Sequence, residues 1–146
     1  MKQLLATTND TTLAICRLVL GLVFFMHGAQ LTLGWFGGYG FAATMHFFTT
    51  QLGIPAIFAA LAILSQLLGG LGLIVGLLGR IAALGIAITM LVAVLKIHQA
   101  FGFFMNWSGT QKGEGYEYHL LTLALCLLIM VKGSGALSID GVLSKT

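Results

Sequence analysis

Apolar positions in this chain fall into four long runs rather than an alternating pattern. Residues 13–33, 54–78, 81–97 and about 118–131 are almost continuously hydrophobic. A helix crossing the hydrocarbon core of a bilayer needs about 20 residues at about 1.5 Å each. The first two runs exceed that length. The third reaches it if its helix continues through His98 toward Phe101. The fourth reaches it only by taking in Glu117 or Glu114, which sets acidic residues and His119 at the membrane edge. The runs are rich in Leu, Ala and Gly and lack period-two alternation, which argues against membrane strands. The pattern predicts an all-α membrane protein built as a four-transmembrane-helix bundle, with helices at about 12–33, 54–78, 80–101 and 115–132 in one domain spanning 1–146. In the first outer loop, residues 41–51 read as a short amphipathic helix with Phe41, Met45 and Phe48 at helical spacing.

Punctuation supports these limits. Asn9, Asp10, Thr11 and Thr12 are capping candidates for the first helix, and Pro55 suits the first turn of the second. The series Ser65–Gly69, Gly72–Gly76 and Gly79–Ala83–Ala87 places small residues one turn apart. This predicts close packing of the second and third helices, or of two protomers. The first run is longer than a signal-peptide core, contains Arg17 and lacks a small-residue cleavage site, so it reads as a retained helix.

Composition narrows the class. Hydrophobic residues make up 58% of the chain and charged residues 8%, with mean hydropathy +1.01, which is outside the range of a soluble domain. With four crossings, Lys2, Arg17, Arg80, Lys132 and Lys145 share the side of both termini, against Lys96 and Lys112 opposite. The bias places both termini in the cytoplasm. The net charge of +3 lies mostly at that edge, where anionic lipid attracts it. No nucleic-acid surface is predicted. Cys16 and Cys126 fall inside predicted helices and are not expected to pair.

The remaining polar groups collect at the opposite, outer end. All four histidines lie there with Trp35, Trp107, Glu114 and Glu117. Each polar side chain at bilayer depth calls for a partner. His27 and Gln30 sit at i and i+3 near the end of the first helix. Gln66 lies mid-way along the second helix. Thr89 and Lys96 share a stripe on the third, and His119, Thr122 and Cys126 share one on the fourth. If these stripes converge, they line a polar, outward-opening pocket in an apolar wall between the first, third and fourth helices. Lys96 is expected to pair with Glu117 or Glu114, and Arg17 to snorkel to the inner interface. The four histidines come from separate segments without ligand spacing, so no metal site is predicted. His27, Glu117 and His119 are the proton-handling candidates, while His46 and His98 read as interfacial anchors. No nucleophile lies beside a base, and no haem or flavin signature is present, which argues against a self-contained hydrolase or oxidase.

Two segments carry a family resemblance. One runs from Arg17 through Gly21, Phe25, Met26, His27, Gly28 and Gln30 to Gly34, Trp35, Phe36, Gly37 and Gly38. The other runs from Gly113 through Glu114, Tyr116 and Glu117 to His119 and Leu120. With the glycine-rich middle helices, these resemble the DoxX family of small bacterial inner-membrane proteins, although members often carry lysine where this chain has Leu31. The resemblance implies a four-helix membrane protein linked to redox metabolism, in a family associated with quinol oxidase and thiosulfate:quinone oxidoreductase systems. The matching positions are Arg17, His27, Gly28, Gln30, Gly34, Trp35, Gly37, Gly38, Glu114, Glu117 and His119.

The leading expectation is therefore a redox-linked membrane protein that binds a quinone or similar small amphiphile, as subunit or partner of an oxidoreductase system. Its outer pocket would use Gln30, Trp35, Lys96, Phe103, Phe104 and Glu114 for the ligand. No cofactor other than a quinone is suggested. Two alternatives use other residues: a membrane anchor or assembly factor that docks a soluble oxidoreductase through the 34–38 and 101–116 loops, and a small homo-oligomeric transporter with Gln66, Thr89 and Lys96 along its path.

Overall fold

The computed structural model describes residues 2–145. Its helices in chain order are α1 (Lys2–Leu5), α2 (Thr11–Leu33), α3 (Gly40–His46), α4 (Ala56–Val75), α5 (Gly79–Lys96), α6 (Glu117–Lys132) and α7 (Ile139–Leu143). Short 3₁₀ turns occupy Trp35–Gly37 and His98–Phe101, and a π turn covers Phe47–Gln51. Three helices, α2, α4 and α5, are long and apolar enough to cross a membrane. Helix α6 has 16 residues and is about 24 Å long.

The ends of α2 follow from local chemistry. The Asp10 carboxylate accepts from the Leu13 N–H at 3.0 Å, satisfying one of the N-terminal amides that no helix can pair internally. Gly34, at φ 70°, ends the helix in the left-handed region. Helix α4 stops at Val75 rather than 78, because Gly76 turns the chain at φ 69°. Helix α5 ends at Lys96 rather than 101, where Ile97 leaves the helical region at φ −130°, ψ −60°. Helix α6 begins at Glu117, two residues later than its sequence suggests.

Contacts at both ends of α5 fix the direction of α6. At one end, the Arg80 guanidinium donates to the carbonyls of Met130 and Val131, at the last turn of α6. At the other, the His98 and His119 rings stack with centroids 4.2 Å apart. Helix α6 therefore runs antiparallel to α5. The end holding Arg80 also holds α1, the 76–79 turn and residues 133–145.

The tightest approach lies between α2 and α4. A Cβ on Gly28 would overlap the backbone of Gln66 and Leu67, and one on Gly70 would overlap the backbone of Phe24 and Phe25. The α4–α5 pair that the small-residue series points to is looser at Gly69, which faces Ile86 at ordinary distance, and tighter at Gly85, where a Cβ would lie 3.1 Å from that of Ser65. The core joining α2, α4, α5 and α6 includes Leu20, Phe24, Leu73, Ile86, Cys126 and Ile129. In α3 the buried residue is Thr44; of the expected apolar stripe, Phe41 is exposed while Met45 and Phe48 are half-buried.

Arg17 corrects the sequence reading outright. It does not snorkel: its relative exposure is 0%. Its Nε donates to the Ser134 carbonyl at 2.6 Å. Its terminal nitrogens donate to the carbonyls of Leu73, Ile74, Ala136 and Leu137. Asp140, 1% exposed, completes the knot. Its carboxylate accepts from the N–H groups of Leu78 (2.7 Å) and Gly79 (3.0 Å) at the start of α5, and from the Ser134 hydroxyl (2.6 Å).

Candidate functional site

The 98–119 segment builds a connected polar cap at the end of the bundle opposite Arg80. His98 Nδ1 lies 2.8 Å from the Glu114 carbonyl oxygen. The Glu114 carboxylate accepts from the Asn106 N–H at 2.7 Å. The Glu117 carboxylate accepts from the Met105 N–H at 3.0 Å and the Trp107 indole N–H at 3.1 Å. Phe103 packs edge-on against both Phe104 and Tyr116. These carboxylates thus order the loop, and neither serves as the expected counter-ion of Lys96. His119 is buried with Nδ1 unpartnered, and its ring partner is His98, which the sequence reading had set aside as an anchor. Glu117→Ala is expected to raise amide hydrogen exchange at Met105 at least tenfold, since a charge-assisted bond of about 1.5–3 kcal/mol closes that amide. Unchanged protection at Met105 would show that the loop holds without it.

The other predicted site residues stand apart from this cap. His27 is exposed, with its ring 6.4 Å from that of Phe24. The Gln30 amide donates to the Phe36 carbonyl at 3.3 Å. Trp35, half-exposed, meets Phe36 edge-on. They shape the turn after α2. Among the described residues, no three His, Cys, Asp or Glu side chains gather as a metal-holding group.

Lys96 belongs instead to a cavity of about 490 Å³ between the outer halves of α4 and α5. Phe48 and Leu52 roof it from the π turn and the loop after it. Exposed Phe58, Leu61 and Ile88 flank it, so it opens sideways on the face that meets lipid in a bilayer. Its polar lining comprises Ser65, Gln66, Thr89 and Lys96. The Ser65 and Thr89 hydroxyls lie 2.9 Å apart, each also within reach of a carbonyl of its own helix, Ala62 and Gly85; when one hydroxyl donates to the other, the second donates to its carbonyl. Gln66 differs. It is 7% exposed and its amide has no hydrogen-bond partner among the described residues. An apolar pocket with a few convergent polar groups is the usual form of a small-molecule site. The Gln66 amide keeps a small accessible surface toward the cavity, so a ligand carbonyl or hydroxyl there can take up its unused hydrogen-bonding capacity. Sequence reasoning found Gln66 and Thr89 as polar groups in apolar helices, but the facing of α4 on α5 is not visible in hydropathy.

Comparisons with known proteins agree with this architecture. The chain is 29% identical over 137 residues to "Inner membrane protein YqjF" of Escherichia coli (strain K12), covering 94% of this chain and 95% of that protein. It is 26% identical over 126 residues to "Putative oxidoreductase CatD" of Bacillus subtilis (strain 168), covering 86% and 82%. No solved structure matches it. The family model DoxX matches residues 12–99, more than half of the chain, and the protein belongs to the DoxX family.

Proposed function

We propose that this protein is an inner-membrane component of an oxidoreductase system and binds a quinone or similar small amphiphile in the cavity between α4 and α5. The observation that carries the reading is the buried, unpartnered Gln66 amide in an otherwise apolar, laterally open cavity. An amphiphile would enter from the bilayer between Phe58, Leu61 and Ile88. It would accept a hydrogen bond from Gln66 Nε2 through a ring carbonyl. The relative named as an inner-membrane protein supports the location, and the relative named as an oxidoreductase supports the redox setting. In this reading α6 makes a fourth crossing, completed at its ends by the interfacial residues around Tyr116 and Gly133. Lys2, Arg80, Lys132 and Lys145 then hold both termini in the cytoplasm.

Gln66→Leu tests the reading with two opposite expected results. Removing an unpaired buried amide is expected to raise the thermal midpoint of the ligand-free protein, by the equivalent of about 1–2 kcal/mol. The same change should abolish the midpoint increase that a short-tailed 1,4-naphthoquinone produces in the unaltered protein. An undiminished quinone shift in the variant, or none in the parent, would sink the proposal.

A further inference from the structure

The cavity has a charged end as well as a polar floor. Lys96 lies at the last turn of α5 and Thr89 two turns earlier, about 10 Å along the helix axis. Thr89 pairs with Ser65, which neighbours Gln66 on α4. The cavity lining therefore carries an exposed ammonium at the end of α5, about 10 Å along that helix from the level of Thr89 and Ser65, the residue next to Gln66.

Among the described residues, no side-chain carboxylate is left to neutralise that ammonium. The chain has four acidic residues, and each is engaged elsewhere. Asp10 caps α2. Asp140 caps α5 and binds Ser134, at the opposite end of the bundle. Glu114 and Glu117 accept from loop amides and from Trp107. None of the four lines the cavity. A cation at the edge of an apolar cavity, without a protein counter-ion, attracts an anion from outside the chain.

We infer that the amphiphile held in this cavity is an anion. It carries one negative group on Lys96, an apolar body between α4 and α5, and a hydrogen-bonding oxygen reaching Gln66. This rests on the cavity being the binding site proposed above and adds the charge class of its ligand. Two sources share that chemistry: the phosphate headgroup of a membrane lipid whose chain enters the cavity, and a diffusible acid such as an ionised hydroxyquinone.

The experiment compares two probes of equal size on the full-length protein in phosphatidylcholine nanodiscs: a neutral alkyl-1,4-naphthoquinone, and its 2-hydroxy analogue, which is anionic at pH 7. The expected result is at least tenfold tighter binding of the anion, a difference of about 1.4 kcal/mol. Lys96→Met should remove that preference, so that the variant binds the two probes with equal affinity. Equal affinity for both probes, or a preference that survives in Lys96→Met, overturns the anionic assignment and leaves the quinone reading standing. Failure of both probes overturns the two together; a disulfide then forming between copies through Leu61→Cys would make a second copy of the chain the occupant. Adding phosphatidylglycerol separates the sources. Weakened anion binding in the parent protein assigns the site to a lipid headgroup, and unchanged binding assigns it to a diffusible acid.

Discussion

Arg17→Met is expected to lower the thermal midpoint of the purified protein by about 10 °C, which corresponds to about 3–5 kcal/mol for a chain of this size. The guanidinium has five N–H donors, and Arg17 directs them at five carbonyls: Ser134, Leu73, Ile74, Ala136 and Leu137. Leu73 and Ile74 lie in the last turn of α4, where carbonyls have no helical partner and carry the negative end of the helix dipole. The other three belong to the segment after α6. Methionine fills part of the volume but removes the donors from these acceptors, of which Leu73 keeps the Gly76 N–H at 3.3 Å. Arg17→Lys is expected to recover only a fraction of the loss, because an ammonium is a single point with three donors and cannot spread across five acceptors. The effect should also be coupled to Asp140, which shares Ser134 with Arg17. The loss in Arg17→Met/Asp140→Asn is therefore expected to be smaller than the sum of the two single losses. Circular dichroism melts in detergent measure the parent and the four variants, including Asp140→Asn alone. A midpoint for Arg17→Met within about 3 °C of the parent would rule out a structural role of this size.

That knot also marks where sequence reading reaches its limit. The apolar runs predicted α2, α4 and α5, because span length and hydropathy are properties of one segment at a time. Residues 133–145 are too short and too polar to form a run, yet Ser134, Ser138 and Asp140 are buried. The signal that could have found them is local: Ser138 caps α7 by accepting from the Gly141 N–H at 3.1 Å, and Ser-x-x-Gly after a glycine pair is readable as a cap. Arg17 looked like a snorkelling residue because nothing in its own helix shows that a C-terminal segment folds back over it. The outer residues divided for a similar reason. Hydropathy shows that Lys96, Glu117 and His119 share an end of the bundle, but not how each helix is rotated about its axis. Rotation sends Lys96 into the α4–α5 cavity and leaves Glu117 to Met105 and Trp107.

Helix rotation also underlies the second large effect, because two adjacent glycines on α4 should respond with opposite sign. Gly70→Ala is expected to destabilise the protein by about 1–3 kcal/mol, and Gly70→Leu to prevent recovery of a monodisperse species. The added Cβ would occupy the backbone of Phe24 and Phe25 on α2. Neither helix can yield locally, since Gly28 is pressed just as closely against Gln66 and Leu67 one turn away. Relief therefore requires the two helices to separate, which breaks a contact that lipid cannot replace by a hydrophobic effect. Gly69 faces α5, where a Cβ would meet Ile86 and the Ala82 carbonyl at 3.5 Å, an ordinary packing distance. There alanine gains about 0.5–1 kcal/mol of helix preference over glycine, so Gly69→Ala is expected to be neutral or stabilising. The contrast extends to the ligand site. Gln66 lies one turn before Gly70 on the strip that contacts Gly28, so forcing α2 and α4 apart should also weaken naphthoquinone binding in any Gly70→Ala protein that folds. Thermal melts and quinone titrations on the two alanine variants measure both effects. Equal behaviour of Gly69→Ala and Gly70→Ala would show that the α2–α4 contact does not set the position of Gln66.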